Sequence, residues 1–242
     1  MTTRENLFAE FDNYALLEQY KNRAPGLPRL TGKQLADMLK TLIDSDPKEE
    51  AVQEFFEAHP RCLPRAGLFH HGLRGDIVVS KLPLHNDFVT DFAYMTKNSQ
   101  EVRIFCVEIE RPGKSIFRKD NHFTSDYTKA KQQVVDWNHW AQHNMREMVK
   151  YFGRLGRYLT EDFTELTMHS ILIMGRRSEL NTRARRERWS AEASLLPKSI
   201  DVMTYDRIIE ELEMEAFMPD NVHILVCSYQ DQALKVKRVV DA

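Results

Sequence analysis

Three carboxylates lie in apolar surroundings in this sequence. Asp91 belongs to the run of residues 87–95, and Glu108 and Glu110 belong to the run of residues 102–110. A charged carboxylate in such surroundings is costly unless another charge compensates it. A bound divalent cation would compensate several carboxylates at once, and hard oxygen ligands suit Mg2+ or Mn2+. These residue types therefore predict a metal site and metal-assisted phosphodiester chemistry.

The pairing of two predicted strands decides whether these side chains meet. Residues i and i+2 of a strand share a face, so Glu108 and Glu110 should lie on the same side as Cys106. If residues 98–99 form the tip of an even-length turn, Asp91 pairs with Cys106 and lies one diagonal step from Glu108. A three-residue loop or a bulge would reverse the parity and separate them.

A solvated strand face is the alternative interpretation of the same glutamates. Arg103 and Arg111 are close enough in sequence to pair with Glu108 and Glu110. Exposed antiparallel strands commonly carry such charges on their outer face. The residues alone leave both interpretations open.

Gln133 is a fourth candidate for this site. It lies three residues after Ala130 and four before Trp137, hence on the predicted buried side of a helix. A buried amide needs hydrogen-bond partners. A carboxylate site with its water would provide them.

Periodicity predicts the elements that position these residues. Predicted helices cover residues 4–22, 32–44, a stretch from Pro47 to His59, a stretch from Ser125 or Asp126 to about 152, 181–191 and 206–216. Predicted strands cover residues 76–82, 87–95, 102–110, 170–175, 200–204 and 222–228. This alternation with a central hairpin predicts an α/β fold around a mixed sheet. Residues 1–46 form a predicted N-terminal helical segment, either an appendage or packed on the main domain of residues 47–242.

Composition limits the function classes. The 242 residues carry a net charge of −2, so no global positive field attracts nucleic acid, and DNA binding would need a local basic patch. The three cysteines are far apart, which indicates neither a zinc ribbon nor a disulfide framework. We expect a cytoplasmic protein without a signal peptide or a membrane segment.

Six short motifs, in order, resemble the Shedu nuclease domain of bacterial anti-phage defence, which belongs to the PD-(D/E)XK nuclease superfamily. The motifs are EAVQEFFEAHP at 50–60, TDF at 90–92, VEIERP at 107–112, AKQQVVDW at 130–137, IMGRRS at 173–178 and TYD at 204–206. The resemblance covers roughly residues 50–210. It implies a PD-(D/E)XK restriction-endonuclease-like mixed sheet flanked by helices, with the small N-terminal helical segment added.

The resemblance also implies roles for individual residues. Asp91 and Glu108 would bind the metal, which is Mg2+ or Mn2+. Gln133 would orient the site. Glu50 would complete it from the first helix of the domain, although Glu54 competes for that place because both can face the sheet.

The chain departs from the family pattern at Glu110, where the motif usually has lysine. A glutamate there could act as general base or as a further metal ligand. It could equally mean lost activity. Lys129 or Lys131 could supply a displaced cation, although both also fit a solvated helix face.

Two groups of basic residues are predicted to bind DNA phosphates. The first flanks the site, and the second precedes an arginine-rich helix that could be merely a solvated face. These residues are Arg111, Lys114, Arg118 and Lys119, followed by Arg176 and Arg177. The first functional prediction is thus a DNA endonuclease or nickase that self-associates into a homo-oligomer. The alternatives are an inactive DNA-binding or regulatory module on a nuclease scaffold, and a protein-interaction module built on the N-terminal helices.

Overall fold

A mixed sheet flanked by helices organises the chain in a computed structural model that describes residues 30–64, 75–84, 88–97, 101–151, 165–214, 223–230 and 233–241. The strands are β1 (Gly75–Ser80), β2 (Pro83–Leu84), β3 (Phe88–Val89), β4 (Phe92–Lys97), β5 (Glu101–Ile109), β6 (Glu165–Ile173), β7 (Ile200–Met203), β8 (His223–Gln230) and β9 (Ala233–Asp241). The α-helices are α1 (Gly32–Asp44), α2 (Glu49–Ala58), α3 (Ser125–Tyr151), α4 (Arg183–Leu195) and α5 (Tyr205–Glu213).

Seven of these strands form the main sheet, in the order β7-β6-β5-β4-β1-β8-β9. The pairs β5–β6, β6–β7 and β1–β8 are parallel. The pairs β1–β4, β4–β5 and β8–β9 are antiparallel. The predicted α/β fold with a mixed sheet and a central hairpin is therefore confirmed. The sequence analysis missed β9 and took β8 for the last strand.

Each face of the sheet packs against its own set of helices. On one face, α3 buries apolar residues such as Val134 and Trp137 in a core that also contains Ile104 and Cys106 of β5. On the other face, α1, α2 and α5 pack against Phe105, Val107 and Ile109. The alternation along β5 thus agrees with the predicted faces. Because α1 contributes Leu35 to this second core, residues 32–44 are built into the body of the protein.

Several predicted details were wrong at the boundaries. The strand predicted over residues 87–95 is broken into β3 and β4, and Asp91 lies in a bend between them. Thr124, rather than Ser125 or Asp126, caps α3, since its Oγ1 accepts a hydrogen bond from Tyr127 N at 3.1 Å.

The buried face of α1 is formed by Leu35, Leu39 and Ile43. Met38 is 40% exposed, whereas Ala36 and Ile43 are buried. The core lies along i, i+4 and i+8 from Leu35, and this row places Met38 at its edge. The helix predicted over residues 4–22 lies outside the described residues. Within the described parts of the chain, none of the helices has the length and apolar character needed to cross a membrane.

Candidate functional site

The hairpin of β4 and β5 brings Asp91 and Glu108 together. Phe92 pairs with Val107, and Asp91 N donates a hydrogen bond to Val107 O at 3.1 Å. Cys106 pairs with Ala93, so the predicted pairing of Asp91 with Cys106 is wrong by two residues. A shift of two residues preserves the alternation of side chains. The carboxyl groups of Asp91 and Glu108 are joined by a hydrogen bond, so the two side chains meet although the predicted pairing was wrong.

The neighbouring strand β1 adds a lysine to this row. Ser80 pairs with Phe92, and Lys81 N donates to Asp91 O at 2.9 Å. The ends of three adjacent strands thus carry Lys81, Asp91 and Glu108 side by side. Lys81 has a φ of 54°, a left-handed conformation uncommon for residues with a Cβ. Such conformations often mark functional sites.

The carboxylate of Asp91 has partners at both oxygens. Its Oδ2 accepts a hydrogen bond from Ile109 N at 2.7 Å, and its Oδ1 accepts one from the Lys81 ammonium. Asp91 is only 5% exposed. A buried carboxylate is tolerated when a charge and hydrogen bonds satisfy it. The backbone of β5 and the β1 lysine therefore fix its position.

Glu108 is the most strongly perturbed of the site carboxylates (Asp91, Glu108 and Glu110). Burial, followed by the charges of Asp91 and Glu110 and a hydrogen bond with Asp91, raises the pKa of Glu108 to about 10. Burial beside other carboxylates therefore favours the protonated form of Glu108. Proximity of two like charges in a desolvated place is the pattern expected of a functional carboxylate pair.

The solvated-face interpretation is wrong for these residues. Arg103 forms its ion pair with Glu101, and Arg111 forms its ion pair with Asp46. Neither arginine pairs with a site carboxylate. The positive charges at the site come instead from lysines.

Glu110 has its own lysine. The Lys114 ammonium forms an ion pair with the Glu110 carboxylate, whose side chain is 13% exposed. The backbone of Glu110 is fixed by Tyr205 Oη, which donates to Glu110 O at 2.6 Å. Burial, with added contributions from the site carboxylates and Glu49, raises the pKa of the Tyr205 hydroxyl well above its usual value. The hydroxyl therefore remains a donor.

Helix α2 contributes Glu49 to the electrostatics of the site. Burial, followed by the charges of Asp91 and Glu110, raises the pKa of Glu49. Glu50 and Glu54 are both exposed, and they line an open cavity beside the site. The predicted choice between Glu50 and Glu54 therefore omitted the residue of this helix that the structure places against the carboxylates.

Gln53 of α2 is another neighbour that the sequence analysis missed. It is 8% exposed, and its amide nitrogen donates to Asp91 O at 3.2 Å and to Ser80 Oγ at 3.0 Å. Both bonds hold the bend that contains Asp91. Its Oε1 is buried without a hydrogen-bond partner. The sequence signal was available, because Gln53 lies one turn after Glu49 on the same helix.

The other residues predicted for the site are less closely involved. Gln133 is only half-buried on α3, and within the described residues its side chain makes no hydrogen bond. Lys131 Nζ binds Glu192 at 2.6 Å, and Lys129 is exposed. Neither lysine is placed among the carboxylates. That position belongs to Lys81 and Lys114.

Most of the basic residues predicted to bind DNA are paired with acids. The ion pairs are Arg111 with Asp46, Lys114 with Glu110, Arg118 with Asp120, Arg176 with Asp44 and Asp206, and Arg177 with Glu210. Lys119 is exposed. A phosphate would therefore exchange with a carboxylate at most of these positions. Arg176 and Asp206 also link the motifs at 173–178 and 204–206, which gives both motifs a structural role.

The donor chemistry of the site suits a divalent cation. Within the described residues, no three or more His, Cys, Asp or Glu side chains converge in a ready-made metal cluster. Two carboxylates, Asp91 and Glu108, do meet. Mg2+ is commonly held by one or two carboxylates, with water and substrate phosphate completing its octahedron. The pair therefore fits a hard cation that keeps several waters.

Comparison with known families places most of the chain in one family. The sequence model described as Shedu protein SduA, C-terminal, matches residues 46–209 of the chain. This region contains every site residue described above. A search of curated proteins gives no match.

Proposed function

Because the chain belongs to the Shedu family, we propose that it is a metal-dependent endonuclease or nickase that cleaves DNA phosphodiester bonds in anti-phage defence. Family membership implies the defence role. The observation that carries the chemical part is the contact of buried Asp91 with partly buried Glu108, beside the ends of β4 and β5. We also assign the mixed sheet to the PD-(D/E)XK fold, since its central hairpin carries the acidic residues of the motif.

Asp91 and Glu108 would hold the Mg2+ or Mn2+ ion. Such an ion lowers the pKa of a bound water and stabilises charge on the phosphate. Glu108 must lose its proton before it can act as a ligand, because only the ionised carboxylate is a good ligand. Asp91 is held ready for this role by Ile109 N and by Lys81.

Glu110 is our candidate for the proton acceptor. It lies two residues after Glu108, and the Lys114 ammonium forms an ion pair with its carboxylate. A carboxylate in this place can take a proton from an attacking water. Glu49 interacts electrostatically with Asp91 and Glu110, and its negative charge would favour cation binding.

An inactive DNA-binding or regulatory module is the second candidate. Lys81 and Lys114 already compensate Asp91 and Glu110. The fold can therefore be stable without a metal ion. A protein that has lost catalytic activity and no longer binds the ion would need this property. Glu110 in the place of the usual lysine points the same way.

Plasmid cleavage with matched variants tests the proposal. We expect wild type to nick or cut supercoiled plasmid in Mn2+ or Mg2+ and not in EDTA. Asp91→Asn and Glu108→Gln keep the side-chain shapes and should lower the cleavage rate about a hundredfold or more. Asp201→Asn and Glu165→Gln alter exposed carboxylates at other strands and should leave the rate unchanged.

DNA binding in EDTA separates the two candidates. Binding by wild type without cleavage in any metal supports the inactive module. Full cleavage by Asp91→Asn or Glu108→Gln rules out this site.

A further inference from the structure

The Lys81 ammonium occupies the place where a metal would contact Asp91. It bonds to Asp91 Oδ1, while Oδ2 is used by Ile109 N. A cation that binds Asp91 through Oδ1 therefore meets the ammonium first. The two positive charges cannot share one oxygen at contact distance without strong repulsion.

The side chain of Lys81 has room to move away from Asp91. Its side chain is half exposed, whereas that of Asp91 is 6% exposed. Lys81 also lines an open cavity of about 690 Å³ between α2 and β9, together with Gln53 and Lys237. The ammonium can thus move into solvent-filled space while the backbone hydrogen bond from Lys81 N to Asp91 O stays in place.

Lys114 provides the internal contrast. It pairs with Glu110 from the loop after β5, four residues along the chain. Its removal leaves Oδ1 of Asp91 still covered. Competition between a lysine and a metal ion at Asp91 therefore involves Lys81. Removal of another lysine, such as Lys114, would not relieve this competition.

We propose that Lys81 is a displaceable competitor of the divalent cation: its ammonium holds Asp91 in the metal-free protein, and the ion must move it into the neighbouring cavity in order to bind. This inference rests on the proposed metal site at Asp91 and Glu108. It makes Lys81 a positioning residue that sets the concentration of metal needed to load the site. Metal binding becomes an exchange in which the divalent ion replaces the Lys81 ammonium. A positive charge therefore lies beside Asp91 and Glu108 both before and after the ion binds.

Direct measurement of Mn2+ binding tests this exchange. Titration calorimetry in the absence of DNA should give an affinity for Lys81→Met at least about tenfold higher than for wild type, which corresponds to about 1.4 kcal/mol. Lys81→Arg keeps the charge and should bind like wild type. Lys198→Met removes an exposed lysine with no assigned role and should also bind like wild type. Asp91→Asn should lose the binding in both backgrounds.

The outcomes separate the two proposals. If Asp91→Asn abolishes binding and Lys81→Met binds within about twofold of wild type, only the role of Lys81 is wrong. If wild type shows no Mn2+ binding that depends on Asp91, the metal site and the exchange both fall.

A second measurement needs no variant. Acetylation of lysines followed by mass spectrometry should show faster modification of Lys81 in saturating Mn2+ than in EDTA, because the released ammonium becomes accessible. Lys119 serves as the internal reference and should not change. Equal modification of Lys81 in both conditions would overturn the exchange. This test uses wild-type protein, so it remains decisive if Lys81→Met fails to fold.

Discussion

The proton on Glu108 has consequences for stability as well as for metal binding. Its pKa of about 10, against an ordinary value of 4.5, is caused first by burial and then by Asp91 and Glu110. The folded protein therefore holds a proton that the unfolded chain releases above pH 4.5. Stability from this group is complete below that pH and declines as the pH rises toward 10. A cation bound to the carboxylates would reverse this decline.

We expect Glu108→Gln to stabilise the metal-free protein in alkaline solution. The amide has no proton to lose, so the variant should gain about 1–3 kcal/mol over wild type at pH 8 and little at pH 5. Urea unfolding in EDTA at a series of pH values measures the difference. A constant difference between the two proteins from pH 5 to pH 9 would show that Glu108 has an ordinary pKa.

Some of these residue contacts could be predicted and others could not. The alternation of side chains along a strand is local, so the shared face of Asp91 and Glu108 followed from the parity of the hairpin. Which residues pair directly across β4 and β5 depends on the full register of the hairpin, which the sequence does not reveal. The approach of Lys81 depends on pairing between β1 and β4 and on a left-handed backbone at one residue. No spacing rule in the sequence indicates either.

At the scale of elements, the loop between β5 and α3 is held by a residue from another part of the chain. Glu179 accepts hydrogen bonds from Ile116 N at 2.9 Å and from Phe117 N at 3.2 Å. Gly175, with a φ of 68°, lets the chain pass close to Ile116. The loop that carries Lys114 is therefore fixed to the end of β6. The helices themselves could be predicted from periodicity, but this attachment joins residues about sixty positions apart and leaves no local pattern.

Glu179→Gln tests this attachment. The amide keeps one acceptor oxygen, so we expect a loss of about 1–2 kcal/mol in unfolding free energy. Glu187→Gln is the matched control, because its ion pair with Arg183 is exposed and should contribute no more than about 0.5 kcal/mol. Chemical denaturation of both variants gives the comparison. Equal losses would mean that the loop is held by other contacts.

At the scale of the whole molecule, the last strand is tied to the helix beside the site. Lys237 of β9 binds both oxygens of Glu57 on α2, at 2.7 and 2.6 Å, and Ser80 Oγ donates to the same carboxylate. Burial alone would raise the pKa of Glu57, but the hydrogen bonds from Lys237 and Ser80 outweigh it and lower the pKa. This link could not be predicted from the sequence. The last predicted strand was β8, because β9 mixes charged and apolar residues and lacks the continuous apolar run of a buried strand.

We expect Lys237→Met to lower stability and to remove part of its dependence on acid. The ion pair is half buried, so the loss should be about 1–2 kcal/mol at pH 7. Because the pKa of Glu57 is lowered, its contribution is present above pH 4.5 and disappears as the pH falls below it. A double-mutant cycle with Glu57→Gln, measured by thermal unfolding at pH 7 and pH 4, isolates the pair. Additive effects of the two substitutions at pH 7 would refute the link.

The acid partners of the surface arginines shape how DNA could be held. Where Arg111, Arg176 and Arg177 already pair with acids, a phosphate replaces a carboxylate, and few small ions are released. The entropy gain that normally drives protein–DNA association is then small, and affinity changes little with ionic strength. Recruitment of DNA would then depend on contacts formed at the proposed site of Asp91 and Glu108, which would couple capture to reaction.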